Sequence, residues 1–586
     1  MQNIQHRLFL LLEDVLQSLY SQDLIGHDQL LVPEVMQVNQ EQFGHYQCNN
    51  ALKIAKHLKI NPRQVADAVA EKLKSSRDSI FSKLEVAGPG FINMTLSSVF
   101  LSNEVEQILN DQRLGVPFPQ SIKKIIVEFS SPNIAKELHV GHLRSTIIGD
   151  CLARLFEFLG HNVLRLNHVG DWGTQFGMLI CYLKTYHHDV LIGKQKTDLS
   201  ELMSWYKLSK KTFDEDPDFK KQSQLEVVKL QGGDPVALQA WQMICDISRK
   251  AFKEIYDLMD VNLIERGESF YNPYLAEIVK DMENKGLITI SSGAKCVFLD
   301  GFISREGEPL PMIIQKSDGG YNYETTDMAA VRHRVEVEKA DRIICVTDAG
   351  QALHFQQVFQ AAEKAGYYDP SKVELDHVTF GVVLGPDGKK FKTRSGETEK
   401  LIDLLYEAVN KAEQIIEQRL PDTSSSEKME LATALGIGAV KYADLSCHRV
   451  KDYVFSYDRM LKFEGNTAAF LLYAYVRIQG IKRKGQKQLS DFINKGSLKL
   501  EHPSEVSLGL HLRRFSETLE SMSKDLLPNR LCDYLYNLAE KFNAFYRDCR
   551  VEGSAEEVSR LLLCEATSRV LSKGLEILGL KTVERM

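Results

Sequence analysis

Lys124-Ile-Ile-Val-Glu-Phe129 is an apolar run with the length of a buried strand. After a short loop, apolar residues from Gly141 to Leu159 recur with a period near 3.6, which predicts a helix with an apolar face. Gly160-His-Asn-Val-Leu-Arg-Leu-Asn-His168 then predicts a turn and a second strand. Strand, helix and strand in this order favour a right-handed parallel crossover, so the stretch indicates an α/β domain with a parallel sheet.

The composition is that of a globular protein with several folded units. At 586 residues, the chain has room for about four domains. Its net charge of -7 argues against wholesale binding of a polyanion but allows a local basic surface. The ten cysteines include no C-x-x-C pair, which favours reduced thiols over a disulfide framework or a zinc site. No apolar run reaches ~18 residues, so we expect no membrane span, and the N-terminus does not have the pattern of a signal peptide.

Local patterns divide the chain into four regions. Residues 1–115 predict a small α+β domain, and residues 116–400 predict the α/β domain with a charged helical insertion near 185–260, in which Lys207 to Lys221 is expected to be solvated. Residues 401–464 and 465–586 predict helices, separated by Gly465-Asn466. Further predicted elements are helices at Ile4–Tyr20, Gln47–Leu58 and Pro62–Leu73, and strands at Leu84–Ala87, Phe91–Leu96, Ala294–Leu299, Arg342–Thr347 and His377–Leu384.

The segment from Ser130 to His142 connects the first predicted strand of the α/β domain to the helix that follows it. Open α/β sheets bind ligands at this position, and the helix start offers free N–H groups to a phosphate. Gly141 would let an adenine ring approach the backbone, while His139 and His142 can donate to phosphate or ribose oxygens. Two histidines three residues apart are more often structural or a metal pair, but the strand, glycine and helix around them favour a nucleotide site.

This segment resembles the HIGH signature of class I aminoacyl-tRNA synthetases. Ser131-Pro-Asn-Ile-Ala-Lys-Glu-Leu-His-Val-Gly-His-Leu-Arg-Ser-Thr-Ile-Ile-Gly-Asp150 resembles the arginyl enzymes in particular, and so does Asn167-His-Val-Gly-Asp-Trp-Gly-Thr-Gln-Phe-Gly177. The likeness extends over nearly the whole chain. It implies an ATP-dependent ligase that makes arginyl-adenylate and transfers arginine to tRNA(Arg), with tRNA needed for the first step.

The second signature of this class, KMSKS, has an irregular counterpart at Lys389-Lys-Phe-Lys-Thr-Arg-Ser-Gly396. A basic loop there would neutralise the triphosphate as pyrophosphate leaves, with Lys390, Lys392 and Arg394 as candidates whose register is open. In many arginyl enzymes a lysine just before the first signature substitutes for the missing one, and Lys136 matches it. Taken alone, the segment would be a solvated hairpin tip.

Arginine recognition requires carboxylates that match the planar guanidinium fork. The resemblance points to Glu268 and Asp327 as the guanidinium partners, and a helix would place Tyr323 on the same face as Asp327. Without the resemblance, Asp327 would be read as a surface helix carboxylate and Tyr323 as a core aromatic. Residues that match further contacts to the amino acid are Gln351, Asn133, Glu128 and Ser131.

The tRNA contacts are expected at both ends of the chain. The window Arg477 to Lys487 holds five cations and no acid, so it could contact phosphates, or it could be an ordinary solvated linker. Phe91 and Asn93 match positions at which the N-terminal module of this family meets a D-loop base, although Phe91 could equally be a buried strand residue. The candidate cations are Arg477, Lys482, Arg483 and Lys484.

The resemblance thus implies an arginine–tRNA ligase with a Rossmann-type α/β catalytic domain, an N-terminal tRNA-elbow module and an all-α anticodon-binding domain. We expect Mg²⁺ on the ATP phosphates, no protein zinc site, a monomer and a cytoplasmic location. Three alternatives stay open: a class I synthetase for another amino acid, a small-substrate adenylyltransferase and a non-catalytic tRNA-binding relative. Charging of total tRNA with each labelled amino acid would separate them.

Overall fold

The computed structural model describes residues 3–38, 40, 43–75, 80–304, 306–385, 387–389, 391, 399–484, 489–493, 495 and 497–586. The helices of this part are α1 (Ile4–Tyr20), α2 (Asn50–Leu58), α3 (Pro62–Lys74), α4 (Ser98–Asn110), α5 (Val140–Leu159), α6 (Thr174–Tyr186), α7 (His188–Leu191), α8 (Leu199–Glu215), α9 (Pro217–Gln231), α10 (Pro235–Leu258), α11 (Glu268–Asn284), α12 (Tyr323–Glu336), α13 (Ala352–Lys364), α14 (Leu401–Arg419), α15 (Ser425–Leu445), α16 (Tyr457–Met460), α17 (Ala468–Lys484), α18 (Pro503–Arg513), α19 (Phe515–Asp525), α20 (Asn529–Asp548) and α21 (Glu557–Ile577).

The strands of the described residues form four separate sheets. They are β1 (Val35–Gln37), β2 (Tyr46–Cys48), β3 (Phe81–Ala87), β4 (Phe91–Leu96), β5 (Lys124–Glu128), β6 (Asn162–Asn167), β7 (Ile264–Glu265), β8 (Thr289–Ser291), β9 (Ala294–Ile303), β10 (Pro309–Gln315), β11 (Arg342–Asp348), β12 (Glu374–Phe380), β13 (Val383–Leu384) and β14 (Tyr453–Val454).

The central sheet is parallel and has the order β12-β11-β5-β6-β7. Strand β5, the first strand of this sheet along the chain, therefore lies in its middle. Later strands lie on both sides of it, as in one half of a doubly wound fold. Strand β5 is buried on both faces, which explains its continuous run of apolar residues. The predicted strand–helix–strand unit is confirmed, and its order leaves a crevice where the loops after β5 and β11 diverge.

Helix α5 connects β5 to β6 and is buried around most of its circumference. Its apolar face packs with Ile125 and Val127 of the central strand in the main core. Gly160 ends the helix in the left-handed conformation, at φ 98°, where a residue with a Cβ would be strained. The helix predicted from Gly141 to Leu159 is therefore confirmed, and it begins one residue earlier.

Gly149 allows helix α5 to pack directly on Phe129, because a Cβ at this position would lie 2.2 Å from the Phe129 side chain. We expect Gly149→Ala to lower the free energy of unfolding by about 1–3 kcal/mol through overpacking. Urea unfolding would measure this loss. The control is Gly438→Ala in helix α15, where the new Cβ would meet Leu580 at an ordinary 3.7 Å. An equal loss in both variants would contradict the steric explanation.

One strand prediction needs correction, and a second is confirmed in a separate sheet. The strand predicted from His377 to Leu384 ends at Phe380, because Gly381 leaves the sheet to contact Lys451 and Asp452, and β13 then pairs with β14. The strand predicted at Ala294–Leu299 exists as part of β9, but it belongs to a separate antiparallel sheet with β8 and β10. Strand β10 was not predicted, since Pro309 and Pro311 are unusual inside a strand.

The insertion between the second and third strands of the central sheet consists of helices α7 to α10. Residues 207–221 are mostly exposed, as predicted. Helix α10 differs, since Ala237, Ile244 and Phe252 are buried in the main core. The end of the insertion is thus part of the framework of the α/β domain.

The N-terminal region folds as a four-stranded antiparallel sheet, β1-β2-β4-β3, with helices α1 to α4. The predicted helix Gln47–Leu58 begins at Asn50 instead, because residues 46–48 pair with β4. This region is joined to helix α19 by the buried carboxylate of Glu517, which accepts from the Tyr46 hydroxyl at 2.8 Å and the Gln5 N–H at 3.0 Å. The two ends of the chain therefore pack together.

No helix in the described part of the chain has the length and apolar content needed to cross a membrane. All ten cysteines lie in this part as free thiols, and nine of them are buried.

Candidate active site

The candidate site lies at the carboxyl ends of the parallel strands, where the loop after β5 has an unusual backbone. Ser130, Ser131 and Ala135 all have positive φ, at 71°, 47° and 60°. Left-handed backbone is costly for residues other than glycine, so neighbouring groups must hold it in place. The Ser130 N–H donates to the Ser145 hydroxyl at 2.9 Å, and the Ser131 N–H donates to the Asn167 side-chain oxygen at 3.0 Å.

Helix α10 braces this loop from the other side. The Ser248 hydroxyl accepts from the Ala135 N–H at 3.0 Å, and the Tyr256 hydroxyl lies 2.7 Å from the Ser130 hydroxyl. Trp241 also donates its indole N–H to the carbonyl of Asp171 at 2.7 Å. The sequence suggested no such role for the charged insertion, because these contacts join residues at least 70 positions apart.

His139 and His142 form the start of helix α5. The Nδ1 atom of His139 accepts from the Gly141 N–H at 3.0 Å, and the Nδ1 atom of His142 accepts from the His139 N–H at 3.0 Å. The rings lie 4.1 Å apart. Because both Nδ1 atoms accept, this pattern assigns the proton of each neutral ring to Nε2, which becomes the donor.

The electrostatic surroundings keep both rings neutral. Burial and the nearby Lys136 lower the pKa of His139, while burial and His139 lower the pKa of His142 to about 3. A Cβ at Gly141 would lie 2.8 Å from the His139 ring, so the glycine makes room for this ring as well as for any ligand. The site thus presents two neutral N–H donors at a helix N-terminus, beside an exposed lysine.

One described flank of the second basic segment lies beside His139. Lys390, Lys392 and Arg394, the three candidates there, lie outside the described residues. Their flanks are described: the Phe391 N–H donates to the Val383 carbonyl at 3.2 Å, and Lys400 forms a β-bridge with His139 and an ion pair of 2.6 Å with Glu137. The described residues on either side of the segment therefore lie beside β13 and beside His139.

A second cluster holds the two carboxylates predicted for arginine. Glu268 is the first residue of helix α11, and Asp327 lies in the second turn of helix α12. Burial, followed by the negative charges of Asp327 and Asp171, raises the pKa of Glu268 to about 8. Burial would also raise the pKa of Asp327, but the hydrogen bond from His354 and the charges of His168 and His354 hold it below its usual value.

Two histidines of this cluster were not predicted from the sequence. The His354 Nε2 lies 2.6 Å from the Asp327 carboxylate, and the His168 Nε2 lies 3.8 Å from its other oxygen. His168 stands inside the stretch that resembles arginyl enzymes, and His354 follows Gln351 by three residues, which were the available signals. Tyr323 is exposed and its ring packs edge-on against His354 at 5.0 Å.

The other residues predicted to contact arginine range from exposed to buried. Asn133 is exposed and forms a β-bridge with Gly170, and Gln351 is exposed at the end of β11, donating to Asp348 at 3.2 Å. Ser131 is half-buried in the strained loop. Glu128 is buried in an ion pair of 2.5 Å with Arg334, so its carboxylate already has a guanidinium partner.

The residues predicted to contact tRNA differ in burial and in the partners that they have in the structure. Phe91 is half-buried, whereas Asn93 is buried and its side-chain oxygen accepts from Gln47 at 2.8 Å. The basic window extends helix α17 to Lys484, so it is not a linker up to that residue. Its cations have partners there: Lys482 with Glu565 at 2.5 Å, Arg483 with Glu584 at 3.5 Å, Lys484 with Glu552 at 4.0 Å, and Arg477 with Asn543 at 3.3 Å.

Three family models match the chain. They are tRNA synthetases class I (R), catalytic domain, at residues 104–457, the DALR anticodon binding domain at residues 471–586, and the arginyl tRNA synthetase N terminal domain at residues 10–96.

Relatives and solved structures agree with these models. An arginine–tRNA ligase of Protochlamydia amoebophila is 63% identical over 564 residues, 96% of each chain, and one of Crocosphaera subtropica is 52% identical over 94% of this chain and 95% of its own. The crystal structure of arginyl-tRNA synthetase from Plasmodium falciparum has a TM-score of 0.86 at 34% identity, with both chains fully covered. The chain therefore belongs to the arginine–tRNA ligase family and joins arginine to tRNA(Arg) with ATP, releasing AMP and pyrophosphate.

Proposed function

We propose that the two clusters at the strand ends bind different substrates during adenylate formation. His139 and His142 bind the phosphates of ATP, and Glu268 and Asp327 bind the guanidinium of arginine. The observation that carries this division is the charge of each cluster. Neutral N–H donors and Lys136 suit an anion, whereas two carboxyl groups close enough for one charge to raise the pKa of the other suit a cation of fixed planar shape.

The arginine carboxylate is ionised at neutral pH, so its attack on the α-phosphate needs no strong general base. Catalysis then depends on in-line positioning and on donors aimed at the charge that develops as pyrophosphate leaves. The Nε2–H groups of His139 and His142 fit this task because their Nδ1 atoms are held by backbone N–H groups. Lys136, Lys390, Lys392 and Arg394 would add positive charge around the phosphates.

Arginine would lie across the crevice between the two clusters. Its guanidinium would meet Glu268 and Asp327 with Tyr323 beside it, and its amino and carboxyl groups would face Asn133, Ser131 and Gln351. Glu128 would act through its ion pair with Arg334, beneath the pocket, and not as a direct contact. We also propose that Gly141 admits the adenine ring.

Mg²⁺ is expected to enter with ATP. Among the described residues, no three His, Cys, Asp or Glu side chains are grouped to hold a metal ion, so the phosphates and water would supply its ligands. When bound, it would neutralise phosphate charge.

We further propose that residues 1–115 hold the tRNA elbow through Phe91 and Asn93, that 116–400 form the catalytic domain, and that 401–464 connect it to the anticodon-binding domain at 465–586. In the last of these, Arg477, Lys482, Arg483 and Lys484 would contact phosphates after exchanging their present partners. The protein would act as a cytoplasmic monomer.

The raised pKa of Glu268 gives a test of the arginine pocket. Since this pKa is about 8, the carboxyl is protonated below it and ionises as pH rises. Only the ionised form pairs with guanidinium, so we expect the arginine KM to fall by about tenfold per pH unit from pH 6 towards 8. The readout is steady-state aminoacylation with arginine varied at each pH.

Glu268→Gln is the control, because a neutral amide cannot titrate. Its arginine KM should be high and nearly constant over the same range, and the ATP KM of both proteins should change little. An arginine KM that rises with pH, or that shifts equally in the Gln variant, would contradict the assignment of Glu268.

A further inference from the structure

The Asp327 carboxylate is held by side chains from two other segments of the fold. His354 of helix α13 contacts one oxygen with its Nε2 at 2.6 Å, and His168, after strand β6, has its Nε2 3.8 Å from the other. Both histidines are largely buried. A carboxylate otherwise rotates readily about its last torsion, so these contacts select one orientation of its plane.

The ring of His354 is itself fixed. It packs edge-on against Tyr323 at 5.0 Å and against Phe355 at 5.4 Å. Phe355 is buried in the core below the pocket, so this support is rigid. The orientation of the carboxylate is therefore set by packed side chains and not by solvent.

We propose that His354 is a positioning residue for arginine recognition, which presents the Asp327 carboxylate edge-on to the substrate guanidinium. This proposal rests on the proposed role of Asp327 and extends it. One hydrogen bond occupies one lone pair of a carboxylate that can accept about four, which leaves room for a guanidinium fork. Fork pairing needs both partners in one plane, so an orientation fixed in advance improves affinity for arginine.

The charges around His354 favour this arrangement. Burial alone would lower the pKa of its ring, but the hydrogen bond and charge of Asp327, followed by the charges of Glu324 and Glu128, raise it above its usual value. The contact between His354 and Asp327 is therefore strengthened by charge, which makes it stronger than a neutral hydrogen bond.

Kinetics of His354→Ala and His354→Gln would test the proposal. The Ala variant should raise the arginine KM by about tenfold, with the ATP KM and kcat within about twofold of the wild type. The Gln variant should recover most of the loss, because its amide N–H can take the place of Nε2–H. A matched control is His377→Gln: His377 stacks on the same Phe355 at 4.5 Å but lies 2.6 Å from the Thr347 hydroxyl, and its arginine KM should not change.

A double-mutant cycle shows whether His354 acts through Asp327. If it does, Asp327→Asn with His354→Ala should raise the arginine KM no further than Asp327→Asn alone. Additive effects, or equal rises in the arginine and ATP KM of His354→Ala, would overturn the positioning role. If Asp327→Asn raises the arginine KM but His354→Ala does not, the positioning role fails and the pocket stands. If Asp327→Asn itself has no effect, the proposed pocket fails, and the positioning role fails with it.

Discussion

Replacing Asp327 with asparagine is expected to raise the arginine KM by about hundredfold or more. Asp327 is held in its ionised form by His354 and His168, so the substitution removes a full charge that is already oriented for a guanidinium. The ATP KM should stay within about threefold, because the proposed phosphate site is the separate His139 cluster. Steady-state aminoacylation, with arginine and ATP varied in turn, measures both constants.

Glu336→Gln is the matched control for this variant. Glu336 lies on the same helix as Asp327, but it is exposed and pairs with Arg332 at 3.0 Å on the far side from the pocket cluster. Loss of the Glu336 charge should leave the arginine KM and the ATP KM unchanged, since exposed ion pairs of this kind contribute about 1 kcal/mol or less. Equal rises in the two KM values of Asp327→Asn would remove Asp327 from the guanidinium pocket.

How far the site could be predicted depends on how its residues are connected. His139, Gly141 and His142 are near neighbours with a strand before them and a helix after them, so their role follows from local pattern. Asp327 and Glu268 lie far apart in sequence and were found by resemblance alone. His354 was missed because it meets Asp327 only when helices α12 and α13 pack together, 27 residues apart.

In the fold, too, elements with a local sequence pattern could be predicted, and features without one could not. Strand β5 is a continuous apolar run and helix α5 has a clear apolar period, and both were predicted to within one residue. Strand β7 has only two residues, too few to show a period, and β10 contains two prolines. The strand order also escaped prediction, because pairing between β5 and β11 depends on everything that is inserted between them.

The basic window of helix α17 shows what a local count of charges misses. Its sequence holds five cations and no acid. The fold then brings Glu565 to Lys482 from helix α21, and it brings Glu584 to Arg483 from the C-terminal tail. Phosphates would have to displace these partners, so the window contributes less net positive charge than its sequence indicates.

His142→Asn should lower kcat for adenylate formation by about hundredfold to thousandfold, the usual cost of one donor to developing charge. An asparagine oxygen can lie near the position of Nδ1 and still accept from the His139 N–H, so the helix start survives while the Nε2–H donor is lost. His142→Gln should retain more activity, because its amide N–H reaches the Nε2 position. Pyrophosphate exchange in the presence of tRNA measures the step, and the arginine KM and the melting temperature should change little.

The pH dependence of the same reaction separates a neutral donor from a cationic one. The pKa of His142 is lowered to about 3, so its ring is neutral well below pH 7, and burial and Lys136 also lower the pKa of His139 below its usual value. At saturating arginine, where bound guanidinium keeps Glu268 ionised, kcat should therefore not fall as pH rises through the usual histidine range near 6.5. A fall in kcat with a midpoint near 6.5, present in the wild type and absent in His142→Asn, would show that an imidazolium stabilises the developing charge. The neutral rings would then be explained only as caps of helix α5, and Lys136 would remain as the candidate cation beside them.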